Sequence, residues 1–197
     1  MTGQFEIIEH KTVYHGFFHL ERYTIQHTLF AGGWSQPLTR ELFRRNNCVA
    51  VLLYDPLRDE VVLIEQFRVG AVTAPQRAWL LEIVAGAMEE GETAAEVACR
   101  ETLEESGCTI LELREIMQFY TTPGGSSERI TMFYGRVDST QAGGLHGLAA
   151  EGEDILVRAV KAEEAFMLMA SGRIESAIPL LALQWLYINR DSIRRPG

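Results

Sequence analysis

The sequence is poor in lysine and in positive charge. Of its 18 basic residues only Lys11 and Lys161 are lysine, and 27 acidic residues leave a formal net charge of -9 at pH 7. Proteins that bind nucleic acid need a basic face for its phosphates, so we do not expect nucleic acid to be a partner. A small phosphorylated ligand is compatible with this charge if a metal cation lies between acid and phosphate.

Cysteine and long apolar runs are also scarce. The three cysteines, Cys48, Cys99 and Cys108, are odd in number and widely spaced, which is typical of reduced thiols and not of a disulfide framework or a zinc site. No apolar run reaches the roughly 18 residues of a membrane-spanning helix. The start, MTGQFEII, lacks the pattern of a signal peptide. We therefore expect a cytoplasmic protein without a membrane partner.

The first part of the chain, residues 1–45, has the composition of β-strands. FEIIEHKTVYHGFFHLERYTIQHTLF is rich in aromatic and β-branched residues, AGGW is a turn signal, and SQPLTRELF has the pattern of a further strand. Together they predict a three-stranded antiparallel sheet. Such a sheet is too thin to be stable alone, so we expect it to pack on the rest of the chain or on a second subunit.

Residues 46–197 mix strands and helices and are predicted to form the main domain. CVAVLLYD and EVVLIEQFRV flank the turn DPLRD as a hairpin, and AWLLEIVAG is predicted to be a third strand ending at Gly86. LREIMQFYTT, ERITMFYGRV and DILVRAV are further strands, GGLHGLAAEGED is a glycine-rich loop, and AEEAFMLMASG and SAIPLLALQWLYIN are helices. This arrangement predicts an α+β fold with helices on a sheet.

An acidic helix lies in the middle of this domain. Thr93 and Glu96 have the spacing of a capping box at its start, and Gly107 is placed to end it. Glu101 and Glu105 are four residues apart, so on a helix they stack and repel. An acidic helix alone is usually a solvated face, but here the acids follow a spacing.

That spacing is glycine, five residues, glutamate, seven residues, arginine-glutamate, two residues, glutamate-glutamate, one residue, glycine. It is filled by Gly86, Glu92, Arg100, Glu101, Glu104, Glu105 and Gly107. Seven fixed positions would match by chance on the order of once in a million. The pattern resembles the Nudix box of the Nudix hydrolase superfamily. Thr102 and Cys108 replace bulky aliphatic residues of that pattern, and both are compatible with burial.

The rest of the chain resembles the ADP-ribose pyrophosphatase branch of that superfamily, from YHGFFHLERY to IPLLALQWL. Pro123 follows the box where the branch carries a proline, and LHGLAAEGEDI resembles its mobile catalytic loop. The resemblance implies a Nudix fold, an α/β/α sandwich around a mixed sheet with a small amino-terminal sheet. It implies magnesium-dependent hydrolysis of the diphosphate bond of ADP-ribose, giving AMP and ribose 5-phosphate.

The resemblance also assigns a metal site. It implies that Glu101, Glu105 and the backbone carbonyl of Ala85 hold magnesium, or manganese as the alternative, and that Glu153 completes the set when its loop closes. Carboxylates with phosphate oxygens and water are the ligands that magnesium prefers. Arg100 would pair with a neighbouring glutamate and orient it.

The general base is expected in the same loop. The matching residue of the branch is Glu151, which could accept a proton from the attacking water. Glu153 and His146 are rivals for this role. Glycines on both sides give the loop freedom to move.

Substrate contacts are implied for residues that lie far apart in the sequence. They are Phe17, Phe18, Arg40, Glu41, Arg45, Arg68, Thr122, Pro123, Gly124 and Glu128. An aromatic face suits a purine, so Phe17 and Phe18 match an adenine site, although they could equally be strand core. The family places this pair in one subunit's sheet serving the other subunit's site, which implies a homodimer.

Two other functions remain open at this point. GDP-mannose and other nucleoside diphosphate sugar hydrolases share the fold and the chemistry, but the loop LHGLAAEGEDI favours ADP-ribose. A Nudix domain that senses ADP-ribose without catalysis is disfavoured, because such sensors lose box glutamates and gain a basic DNA-binding domain. No calcium-binding EF-hand spacing is present.

Overall fold

The computed structural model describes residues 3–74 and 77–194. Within these ranges the chain forms two compact units. The first unit comprises residues 3–47 and 119–129, and the second comprises residues 48–118 and 130–194 apart from the gap.

The first unit contains a three-stranded antiparallel sheet with β2 in the centre. Its strands are β1 (Phe5–His15), β2 (His19–His27) and β3 (Leu38–Arg44). Every residue of β1 is exposed, because three strands supply no second layer to cover an outer strand. Segment 119–129 joins the unit through β3, since Phe43 exchanges backbone hydrogen bonds with Gly125 and Ser127. The predicted three-stranded sheet is confirmed.

The second unit is built on a mixed sheet with the strand order β10-β11-β5-β4-β9-β8. Its strands are β4 (Cys48–Asp55), β5 (Glu60–Phe67), β6 (Trp79–Glu82), β7 (Val84–Ala87), β8 (Glu112–Tyr120), β9 (Arg129–Arg136), β10 (Gly144–His146) and β11 (Ile155–Lys161). The sheet is mixed because β4 pairs with β9 in parallel and with β5 antiparallel.

The predicted hairpin of β4 and β5 forms, but the strands stay paired only next to the turn, at Tyr54–Val61 and Asp55–Glu60. Beyond these pairs they diverge, and AWLLEIVAG fills the gap as two strands. β6 pairs with β5, and β7 pairs with β4. The expectation of one strand ending at Gly86 is therefore wrong: the strand is divided at Ile83, and β7 continues through Gly86 to Ala87.

Helices cover both faces of this sheet. They are α1 (Ala94–Ser106), α2 (Ala162–Ala170) and α3 (Ala177–Arg194). Val49, Val51 and Leu53 of β4 share one core cluster with Val97 and Ala98 of α1. The alternate residues of β4 face the other side, where α3 packs.

The predicted α+β sandwich, with helices on both sides of a mixed sheet, is confirmed. None of the helices within residues 3–74 and 77–194 has the length and apolarity that a membrane crossing requires.

Candidate active site

Both ends of helix α1 are set by local sequence. The Thr93 hydroxyl oxygen accepts a hydrogen bond from the Glu96 N–H (3.3 Å), and the Glu96 carboxylate accepts one from the Thr93 N–H (2.8 Å). Gly107 ends the helix in the left-handed region, with φ of 69°. The predicted cap, length and stop are confirmed, so the rotational setting of the glutamates is fixed by residues next to the helix.

Helix α1 lies close against strand β7. A Cβ atom built on Gly86 would lie 1.9 Å from Glu101 Oε1. One turn further along, Glu105 Oε2 accepts a hydrogen bond from the Ala85 N–H at 2.9 Å. The two stacked carboxylates therefore rest on the backbone of residues 85 and 86.

The two positions that depart from the usual box are both buried. Thr102 is fully buried, and its hydroxyl donates to the Ala98 carbonyl at 2.7 Å. Cys108 is 1% exposed and packs in the core cluster beneath α1. The hydroxyl at 102 is satisfied inside the helix, so neither departure leaves a buried polar group unpaired.

Arg100 holds three box glutamates together. Its Nε and Nη2 donate to the two carboxylate oxygens of Glu92 at 3.0 and 3.2 Å. Its Nη1 donates to Glu101 at 2.8 Å and to Glu104 at 3.1 Å. The Glu92 contact raises the pKa of Arg100, and the same hydrogen bonds lower the pKa of Glu92. The expected pairing of Arg100 with its neighbours is therefore present.

The two inner glutamates are electrostatically frustrated. Burial raises the pKa of Glu105 to about 8, and the charges of Glu101 and Glu153 add to the shift, while the Ala85 N–H and Arg68 oppose it. Burial also raises the pKa of Glu101, an effect that Arg100 opposes. Buried carboxylates with too little compensating positive charge are the electrostatic signature of a cation site or a catalytic site.

One carboxylate that was not predicted from the sequence pairs with Arg68, whose charge opposes the rise in the pKa of Glu105. Glu82 of β6 is 9% exposed, and its Oε2 accepts a hydrogen bond from Arg68 Nε at 2.7 Å. A glutamate inside the apolar run WLLEIV was the available signal, because a charge in a buried strand needs a partner.

A buried side-chain amide on strand β5, next to β6, has a donor without a hydrogen-bond partner. Gln66 is 5% exposed, and its Nε2 is the one buried side-chain nitrogen or oxygen of the described residues without a hydrogen-bond partner. Leaving such a donor unpaired costs about 1–3 kcal/mol. Costs of this kind are concentrated in functional regions of proteins.

The glycine-rich loop docks against the end of α1. Gly147 N–H donates to the Glu104 carbonyl at 3.2 Å, and the His146 ring packs where a Cβ of Gly107 would be. Glu153 Oε2 accepts the Leu148 N–H at 3.0 Å. The segment predicted as a plain loop contains strand β10 and a short 3₁₀ turn at Ala149–Glu151.

The two loop carboxylates differ in their surroundings. Glu151 is exposed, and among the described residues nothing is hydrogen-bonded to its carboxylate. Glu153 is half-buried and bonded within its own loop. The rival His146 is engaged through Nε2 with the Gly143 carbonyl at 3.0 Å.

The donor set around α1 suits a hard divalent cation. Two carboxylates lie beside the peptide of Ala85, and oxygen donors of these kinds are those that magnesium binds. Within the described ranges, no three histidine, cysteine, aspartate or glutamate side chains are arranged to hold a metal ion by themselves. The structure thus brings Glu101 and Glu105 to one backbone segment but leaves Glu153 in its loop.

The predicted aromatic pair lies in the first unit, between β1 and β2. Phe17 is 94% exposed, so it is not strand core. The Phe18 ring lies 4.9 Å from that of Phe43, and the Arg45 guanidinium lies 4.7 Å from the Phe18 centroid. This leaves one aromatic ring open to solvent beside a ring that carries a cation.

Four of the other predicted substrate residues of the first unit line a recess of about 400 Å³; they are Arg40, Glu41, Pro123 and Gly124. Arg45 forms an ion pair with Glu128 at 2.9 Å. The Thr122 carbonyl accepts the Gly125 N–H at 3.1 Å. Of the ten predicted substrate residues, only Arg68 belongs to the second unit.

Comparison with known proteins agrees with this geometry. The NUDIX domain model matches residues 44–181. The chain is 44% identical over 189 residues to the ADP-ribose pyrophosphatase of Escherichia coli, covering 96% of this chain and 90% of that protein. The corresponding protein of Haemophilus influenzae is 46% identical over 193 residues, with 96% and 89% covered. The GDP-mannose pyrophosphatase of Enterobacter is 32% identical over 191 residues, with 96% and 98% covered. The chain, with its acidic helix held against Gly86, belongs to the NUDIX domain family.

Proposed function

We propose that this protein hydrolyses the diphosphate bond of ADP-ribose to AMP and ribose 5-phosphate, with magnesium as the cofactor. The observation that carries the proposal is the seating of Glu101 and Glu105 on the backbone of Ala85 and Gly86. It is supported by 44–46% identity over 96% of the chain to proteins named ADP-ribose pyrophosphatase.

Magnesium would be held by Glu101, Glu105 and the Ala85 carbonyl. Glu153 would become a further ligand when its hydrogen bond with the Leu148 N–H breaks. Bound magnesium supplies positive charge that stabilises the charge developing on the diphosphate oxygens. Arg100 opposes the rise in the pKa of Glu101 and orients its carboxylate through a 2.8 Å contact. Manganese has the same ligand preferences and is the alternative.

Glu151 would act as the general base. The oxygen of a water molecule would attack one phosphorus, and the bond from that phosphorus to the bridging oxygen would break. The bridging oxygen would leave on the other phosphate, and the proton of the water would go to the Glu151 carboxylate. Its exposed, unbonded carboxylate supports this assignment over Glu153 and His146, which are both engaged in hydrogen bonds. A free carboxylate can approach substrate without first breaking a contact.

Phe17 and Phe18 would hold the adenine ring, and Arg40, Glu41 and Arg45 would contact the substrate near its adenine end. Stacking between an exposed ring and a purine is favourable, and Phe17 offers such a ring. Thr122, Pro123, Gly124 and Glu128 would surround the terminal ribose.

We also infer a symmetric homodimer in which the amino-terminal sheet of one subunit completes the site of the other. The first unit exposes several large apolar side chains, namely Phe5, Ile7, Ile8, Tyr14, Phe17, Phe30 and Trp34. Exposed apolar surface of this extent is typical of an interface. Sedimentation of the intact protein at micromolar concentration should give twice the 22.2 kDa chain mass. A fully active monomer would contradict the dimer.

A reducing cytoplasm is the proposed compartment, because three cysteines that are odd in number and widely spaced in the sequence are typical of reduced thiols. Among the described residues, no disulfide is present.

The second candidate is hydrolysis of another nucleoside diphosphate sugar such as GDP-mannose. It is favoured by one finding, the 32% identity to a GDP-mannose pyrophosphatase over 96% of this chain. A sensor without catalysis is the weaker alternative, because Arg100, Glu101, Glu104 and Glu105 are all present.

A substrate panel tests the proposal. The protein is incubated with magnesium and with ADP-ribose, GDP-mannose and other nucleoside diphosphate sugars, and kcat/KM is compared while products are separated by chromatography. We expect ADP-ribose to be the best substrate and AMP to be released. Glu105→Gln is the control for contaminating activity, and a higher kcat/KM for GDP-mannose would establish the second candidate.

A further inference from the structure

Arg68 lies on the face of the sheet that α1 covers. It follows the last residue of β5 and keeps an extended backbone, with φ of -124° and ψ of 115°. Residues 64, 66 and 68 therefore share one face, and Ile64 packs in the core cluster with Val97 of α1. The Arg68 backbone is anchored to the start of β6, since its N–H donates to the Ala78 carbonyl at 2.8 Å.

Glu82 lies on the same face, one strand away. It pairs directly across from Ile64 in the β5–β6 register, and residues directly opposite on antiparallel strands share a face. Its side chain is 12% exposed, whereas that of Arg68 is 42% exposed. The pair thus has a buried anionic end and an open cationic end.

Among residues 3–74 and 77–194, the Arg68 guanidinium is hydrogen-bonded through one edge only. Nε donates to Glu82 at 2.7 Å. Within the described residues, neither terminal nitrogen donates a hydrogen bond. Arg68 also acts on the box, because its charge opposes the rise in the pKa of Glu105. The terminal nitrogens of Arg68 are therefore part of a positive charge that acts on Glu105 of helix α1.

We propose that Glu82 is a positioning residue: by holding Arg68 through Nε, it directs the two terminal nitrogens to the diphosphate oxygens of the substrate. This inference rests on the proposed function. An arginine side chain has many rotamers, and a buried carboxylate at Nε selects one of them. The guanidinium then meets phosphate with its planar fork already placed.

The test is a double-mutant cycle on kcat/KM for ADP-ribose with magnesium, using Glu82→Ala, Arg68→Ala and the double variant. Losing a charge-assisted contact to phosphate should lower kcat/KM by roughly 10–100-fold, mainly through a higher KM. Since Glu82 acts through Arg68, Glu82→Ala should cause no further loss in the Arg68→Ala background. Independent, multiplying losses would overturn the proposal.

Two further variants separate positioning from folding. Glu82→Gln keeps an acceptor oxygen for Arg68 Nε and should recover most of the loss caused by Glu82→Ala. Glu65→Ala is the matched control, because Glu65 is on the same strand as Ile64, faces the other side and pairs with Arg158 and Arg173. Its KM should stay at the wild-type value. A KM for Glu65→Ala as high as that for Glu82→Ala would mean general damage to the sheet and would overturn the proposal.

A second measurement distinguishes failure of the proposed function from failure of the positioning role of Glu82. It is the affinity for inorganic pyrophosphate, determined by calorimetry with magnesium on the same variants. If the wild-type protein hydrolyses none of the sugars, the proposed function fails, and the cycle on pyrophosphate affinity still decides the role of Glu82. Pyrophosphate affinity that depends on Arg68 and on Glu82 non-additively supports the positioning. Affinity that depends on neither residue overturns it.

Discussion

Glu101 occupies the space that a side chain at position 86 would need. A Cβ atom at Gly86 would lie 1.9 Å from Glu101 Oε1 and 2.0 Å from its carboxyl carbon. The glycine of the box is thus required by the approach of the helix to strand β7, since its φ is not in the left-handed region.

Gly86→Ala should displace Glu101 and lower kcat by at least ~100-fold, because a carboxylate misplaced by about 1 Å loses its ligand geometry. Steady-state kinetics with saturating magnesium measure the effect. Gly70→Ala is the control, because a Cβ at Gly70 meets nothing within 4 Å. Equal activity of the two variants would show that Glu101 can move without consequence.

Glu105→Gln should abolish turnover and stabilise the metal-free protein above neutral pH. The folded pKa of Glu105, about 8, lies above its ordinary value of 4.5. The contribution of the Glu105 carboxyl group to the free energy of unfolding is therefore fully present below pH 4.5, and it is lost as the pH rises through 8. Removing a buried, under-compensated charge should raise the free energy of unfolding at pH 8.5 by on the order of 1–3 kcal/mol.

Urea denaturation of the metal-free protein at pH 4.5, 6.5 and 8.5 measures this effect. The increase in the free energy of unfolding caused by Glu105→Gln should grow with pH and should vanish at pH 4.5. Added magnesium should reverse it, because only the wild-type protein would bind the ion there. A gain that is independent of pH would contradict the assignment of burial as the cause.

The two loop carboxylates should respond to different rescues. Glu151→Gln should lower kcat by roughly 100-fold or more with near-normal metal affinity, since a proton acceptor acts in the transition state. Higher pH should restore part of the rate, because hydroxide replaces the missing base. Glu153→Gln should weaken apparent magnesium affinity, and excess magnesium should restore part of its rate.

A magnesium titration of both variants at pH 7 and pH 9 separates these effects. The opposite pattern, with magnesium restoring the Glu151 variant, would exchange the two roles. Normal rates in both variants would transfer the role of base to His146 or to the helix.

Asp59 should stabilise the protein at neutral pH through its charge. Hydrogen bonds from Arg190 lower the pKa of Asp59 to about 2, and the Tyr54 hydroxyl donates to the same carboxylate at 2.6 Å. The stabilisation is present above the ordinary pKa of 3.8 and is lost as pH falls through 2. Asp59→Asn should cost about 1–2 kcal/mol at pH 7 and nothing below pH 2.

Asparagine is the suitable replacement because Asp59 has a positive φ of 59°, a conformation that asparagine tolerates. Urea unfolding as a function of pH measures the difference. A constant cost across the pH range would show that shape, and not charge, is responsible.

Much of this molecule is determined by local sequence. The α1 cap at Thr93, its end at Gly107 and the stacking of Glu101 over Glu105 depend on residues within one or two helical turns. The three-stranded sheet follows from residue type and turn signals in a continuous stretch. Spacing encodes these features because the interacting groups are neighbours in the chain.

Tertiary structure decided what depends on distant pairing. AWLLEIVAG has the composition of one strand, and only the divergence of β4 from β5 divides it at Ile83. The Arg68–Glu82 contact joins residues on neighbouring strands, and the docking of the Glu153 loop on Gly107 joins a loop to a helix end. Sequence spacing does not determine such contacts, because they arise when separate elements pack and each buried charge must find its partner in space.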